Sequence, residues 1–158
     1  IYGLDDNDLL FGGQQNDVVF GNRGNDTIRG GKDNDLLRGG QDNDQLYGDL
    51  GNDSLYGDLD NDFLFGSDGN DLLSGNQGND SINGNMGNDT AYGGQGNDIV
   101  RGGMQNDSLF GDKGNDTLYG DLGDDTVYGG ADSDLIFGDQ GEEAKFGGGG
   151  NDILFANE

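Results

Sequence analysis

Apolar side chains recur along this chain at every ninth residue. From Gly3 to Phe155 the sequence divides into 17 units of nine with no insertion or deletion, and Ile1 and Tyr2 fill the last two places of a preceding unit. Typical units are GNRGNDTIR from Gly21, GDLGNDSLY from Gly48 and GNQGNDSIN from Gly75. Position eight is Leu, Ile or Val everywhere except at Ala91 and Lys145. Position nine collects all six Tyr and seven of the eight Phe. Position one is always Gly, position five is Asn in 14 units, and position six is Asp in 16, with Glu143 the exception.

Glycine this frequent rules out helices of normal length. Each unit reads as a six-residue turn, positions one to six, followed by a three-residue strand. Alternation along that strand puts position eight on one face and positions seven and nine on the other, so the aliphatic column is the interior. A strand this short buries nothing alone, and the units must stack. If every turn reverses the chain, odd and even units form two parallel sheets whose position-eight side chains meet. Two units then make a coil of 18 residues, with neighbouring strands about 4.8 Å apart and a rod of roughly 40 Å. The expected fold is an all-β parallel β-roll, a solenoid of two short-strand parallel sheets, forming one unit over 1–158.

Composition changes the picture in two ways. There are 35 Gly, 32 Asp plus Glu, 7 Lys plus Arg, and a formal net charge of −25. Taken without the repeat, those values belong to a disordered chain. With no Cys or His, disulfides, thiolate or Ser-His-Asp catalysis, haem ligation and ordinary zinc sites are excluded. The charge argues against nucleic acid and anionic membrane as partners, and apolar runs of three residues cannot span a bilayer. The start at Ile1, in mid-unit, leads us to expect more of the array upstream.

Stacking places position-six carboxylates about 5 Å apart along each edge, where their repulsion calls for a cation between them. Every candidate ligand is an oxygen, which selects a hard cation, and Ca²⁺ accepts irregular oxygen shells more readily than Mg²⁺. The units resemble the RTX (repeats-in-toxin) nonapeptide, G-G-x-G-x-D-x-U-x, over the whole chain. That resemblance implies a right-handed parallel β-roll with Ca²⁺ along both turn edges, held by position-six Asp side chains and early-turn carbonyls. Carried over, one edge is Asp8, Asp26, Asp44, Asp62, Asp80, Asp98, Asp116, Asp134 and Asp152. The other is Asp17, Asp35, Asp53, Asp71, Asp89, Asp107, Asp125 and Glu143. Nine residues leave eight gaps and eight leave seven; 14 of these 15 gaps have Asp on both sides, so about 14 to 15 Ca²⁺ are expected. Fourteen would bring +28 against −25.

Some units depart from the family pattern. Gln15 and Gln105 replace glycine at position four and predict slightly strained turns with binding kept. The unit from Gly138 carries Glu142, Glu143 and Lys145. Two readings of this unit stand: Lys145 snorkels from the end of the apolar column and pairs with Glu142 or Glu143, as part of a C-terminal cap over 138–158, or the repeat simply decays near a terminus. An EF-hand reading of DLDND from Asp58 fails, because the loop Gly, the terminal Glu and the flanking helices are absent.

Position nine forms aromatic ladders on both outer faces, interrupted by Arg able to lie over a neighbouring ring. They are read either as β-propensity with stacking or as a lateral contact surface. The Asn column suits turn chemistry, and with no Thr at position three no regular ice-matching lattice exists. The expected function is a calcium-binding segment of a secreted protein, disordered without Ca²⁺ and folding outside the cell. The alternative is a structural protein associating end to end or through its aromatic faces into a filament, sheath or surface layer. No enzymatic activity is expected, since the functional residue types are all consumed by the repeat.

Overall fold

A computed structural model describes residues 1–155, which form strands and turns without a helix. Of the expected C-terminal cap, residues 156–158 lie outside the described ones. Odd-numbered strands, from β1 (Tyr2–Leu4) to β17 (Ala144–Gly149), make one nine-stranded sheet in sequence order; even-numbered strands, from β2 (Leu9–Gly13) to β18 (Ile153–Phe155), make the other. All pairings are parallel, with partners 18 residues apart, as in Ile82↔Val100 and Ala91↔Leu109. This is the 18-residue coil of a two-sheet β-solenoid of about nine turns.

The strands are longer than the sequence suggests. From β3 (Val18–Arg23) to β15 (Thr126–Ala131) each has six residues, running from position seven through position three of the next unit. The turn is therefore positions four to six, not one to six. Position two causes the discrepancy, since it takes a left-handed φ in all 17 units, inside a strand in every one but that of Asp139, as position four does in the turn. Pairing steps over position one, from Asn83↔Arg101 to Asn85↔Gly103, and then resumes. Non-glycine residues at these two positions have φ of 66–87°, whereas glycines there open to 100–149°. Gln15 and Gln105, at 71° and 73°, lie in the ordinary left-handed well, the mild strain expected of them.

Position eight forms the core. Val19 through Ile136 are fully enclosed in an unbroken column that includes Ala91, and Leu10 packs on partly buried. Position one, the other inward position of each strand, is buried too along most of the array. Outside, the aromatic ladders are segmented. Tyr92, Phe110, Tyr128 and Phe146 stack at 4.7, 5.2 and 4.7 Å on one sheet; Tyr119, Phe137 and Phe155 stack at 4.8 and 4.6 Å on the other. Between segments Arg29, Arg38 and Arg101 lie over Tyr47, Tyr56 and Tyr119 at 4.8, 5.3 and 4.1 Å, as expected. Each Arg also pairs with an Asp that the sequence reading missed: Asp49, Asp58 and Asp121, at 3.2, 2.9 and 3.0 Å. The signal was present as Tyr-Gly-Asp with an Arg 20 residues before the Asp.

Candidate metal centre

Two side-chain ladders close the gap between each turn and the next turn on the same edge. The Asn ladder points forward: the N–H of Asn97 donates to Oδ1 of Asn79 at 2.7 Å, and the N–H of Asn115 to Oδ1 of Asn97 at 2.8 Å. Where Asn is replaced, the acceptor is kept, by Asp124 for Glu142 and by Ser133 Oγ for Asn151. The Asp ladder points backward. The N–H of Asp80 donates to Oδ1 of Asp98 at 2.8 Å, and the same bond spans all 14 gaps with Asp on both sides, at 2.7–3.1 Å. The Asp column thus runs along both edges in the predicted register. Asp26 through Asp134 are buried, and Asp8, Asp17 and Asp152 are half-buried nearer the ends.

The carboxylates lie inside the turn rather than on its surface. Each folds back over the glycine five residues earlier, so that a Cβ built on Gly93 would overlap Oδ2 of Asp98 and stand 2.8 Å from the carbonyl oxygen of Gly111. Position-one glycine does not have a positive φ. It is required for space, which corrects its assignment to turn conformation. What occupies the place of the missing Cβ is a cradle of two oxygens, a carboxylate from one unit and a backbone carbonyl from the unit two places on.

The second oxygen of this ladder has no partner within the protein. Oδ2 of every position-six Asp from Asp8 to Asp134 is buried without a hydrogen bond. A buried acceptor left unsatisfied costs about 1–3 kcal/mol, and more when charged. Burial is accordingly the largest influence on these acids. It pushes Asp44, Asp53 and Asp116 up to about 7, and Asp62 and Asp107 up to about 8. The donated N–H works against this, while the carboxylates above and below add to it; Asp80 and Asp89 are raised to about 6.

Such a ladder suits a hard cation. Orphaned, desolvated carboxylate oxygens face backbone carbonyls, with no nitrogen or sulfur donor nearby, and Ca²⁺ takes shells of that composition. Among the described residues no three acidic side chains converge on one point, so carboxylates alone do not make a shell, and carbonyl or water oxygens would complete one. The Glu143 turn differs. Its Oε1 lies 2.6 Å from a Cβ built on Gly141, and Lys145 Nζ is 3.6 Å from its Oε2. Lys145 does pair as expected, but with only 14% of its side chain exposed it stays inside instead of snorkelling outward.

Comparison with known proteins agrees with this geometry. No curated protein matches the chain. The profile of the RTX calcium-binding nonapeptide repeat, four copies long, matches residues 1–28, 20–55, 29–64, 56–91, 74–109, 83–118, 110–142 and 146–158. The matches beginning at residues 20, 29, 56, 74, 83, 110 and 146 are offset from one another by multiples of nine, the unit found in the sequence, and only residues 143–145 fall outside every match. With nearly every unit matched and the orphaned aspartates in register along both edges, the chain belongs to the RTX calcium-binding nonapeptide repeat family.

Proposed function

We propose that this β-roll is a calcium-dependent folding segment of a secreted protein. Its ligands are the 16 position-six aspartates, each gap being completed by turn carbonyls. The observation that carries this reading is the unbroken file of buried Oδ2 atoms without partners, an arrangement that holds together at neutral pH only when counter-charge enters between the turns. Fourteen gaps have Asp on both sides, and we assign one Ca²⁺ to each. In the cytosol, where Ca²⁺ is scarce, the chain stays unfolded and exportable; in extracellular Ca²⁺ it folds, so that metal affinity and folding free energy are one quantity.

The test is far-UV circular dichroism at pH 7.5 with saturating Ca²⁺, before and after excess chelator. The β signal collapses on chelation and returns when Ca²⁺ is restored; a spectrum indifferent to chelator refutes the assignment. A second role, lateral association through the aromatic faces, is supported by the stacked rings left open to solvent at Tyr128, Phe146 and Phe155. Sedimentation velocity with Ca²⁺ distinguishes the two, since a monomer at high concentration removes the filament reading.

A further inference from the structure

The Glu143 turn breaks the pattern in three coupled ways. Glutamate replaces the position-six aspartate, lysine replaces the aliphatic at position eight of the same unit, and these residues bound the three-residue stretch that the family profile leaves unmatched. The backbone does not break with them. The N–H of Ala144 donates to the carbonyl of Asp125 at 2.8 Å, as at every other gap, and Lys145 stays in register beneath Val127. The backbone therefore carries Glu143 to the usual place under Asp125; what differs is the side chain and the charge brought to it.

At this gap the cation is already part of the chain. The Glu143 carboxylate is fully enclosed, and the Lys145 ammonium reaches it from the core column rather than from solvent. An ammonium is a compact point charge with three donors, and it can neutralise an enclosed carboxylate as an ion would. The glutamate has one methylene more than the aspartates, and its Oε1 comes within 2.6 Å of a Cβ built on Gly141. The ion pair changes the gap in one direction: a space between two acids, open elsewhere to a divalent ion, here has a cation of the chain on one of its two acids. A Ca²⁺ entering there would meet a like charge 3.6 Å from one of its ligands.

We infer that Lys145 takes the place of calcium between Asp125 and Glu143, so that this gap is closed by an internal ammonium and binds no ion. The inference rests on the calcium reading of the other gaps. It makes the Asp125–Glu143 gap independent of Ca²⁺, next to a file of gaps that depend on it.

Ion stoichiometry tests it. The full chain is dialysed against saturating Ca²⁺, bound metal is counted by atomic emission, and folding is followed in parallel by circular dichroism. Lys145→Met, which removes the ammonium and leaves Glu143, is expected to bind one more Ca²⁺ per chain than the unmodified protein. Glu143→Gln is expected to bind the same number as the unmodified protein, and the double substitution restores that number in the lysine-free background. No gain in Lys145→Met, or loss of one ion in Glu143→Gln, overturns the assignment. An unmodified chain that binds no Ca²⁺ overturns the calcium reading itself and this inference with it, whereas a calcium-loaded chain with the wrong differences overturns only the inference.

Discussion

Protons and calcium should substitute for one another in this fold. In the metal-free roll ten aspartates, among them Asp44, Asp62, Asp80 and Asp107, have their pKa pushed up to between about 6 and about 8, chiefly by burial. In the unfolded chain they return to about 3.9. Between these limits the folded state holds more protons than the unfolded state, so stability falls as pH rises, fully present below about pH 4 and lost by about pH 8. For Asp80, a rise from 3.8 to about 6 corresponds to about 3 kcal/mol against ionisation, and solvent reaching the turns reduces this to roughly half. Ten such groups amount to on the order of 10 kcal/mol, as large as the net stability of an ordinary domain. A protonated Oδ2 also becomes a donor, and it shares its cradle with a carbonyl oxygen that can accept. In metal-stripped buffer, far-UV circular dichroism should therefore show β structure gained on acidification from pH 8 to pH 4.5. With saturating Ca²⁺ the dependence should reverse, since protons then compete for the same oxygens. A metal-free chain whose spectrum does not change between those pH values, or one more structured at pH 8, would refute the claim that carboxylate repulsion and burial keep the roll from closing.

The remaining predictions concern packing. Gly93→Ala, at a φ any residue accepts, should destabilise the calcium-loaded roll by about 1–3 kcal/mol, because its Cβ meets Asp98 and the Gly111 carbonyl; a thermal melt no lower than that of the unmodified chain would show that position one is not chosen for space. Leu73→Ala should cost about 2–5 kcal/mol, towards the upper end, because the register already places the small Ala91 beside it and the two voids would merge. Chemical denaturation in saturating Ca²⁺ measures this, and a loss below about 1 kcal/mol would mean that the column relaxes to fill the gap.

The stacked rings and the Arg–Asp pairs show how differently parts of this protein could be read from its sequence. Tyr92, Phe110 and Tyr128 are 18 residues apart, so once the coil length is known their contact follows. Arg101 and Asp121 are 20 residues apart. Their meeting depends on position two turning outward with a left-handed φ, which no spacing argument contained. The same bend lengthened the strands from three residues to six and reduced the turn to three.

The sequence by itself determined the period, the two parallel sheets, the enclosed column at position eight and the position-six acids in register along both edges. All of these follow from counting by nine and asking which columns can be buried. The tertiary structure alone decided what the acids do with their two oxygens. One is spent on the neighbouring backbone N–H, and the other is folded over a glycine into a cradle no side chain could share. Column statistics record where charges recur but not which way a carboxylate turns, because its direction depends on backbone atoms 18 residues away that every unit supplies alike. For the same reason Lys145 reads in sequence as a defect in the apolar column, and only its distance from Glu143 identifies it as a cation brought to an enclosed acid.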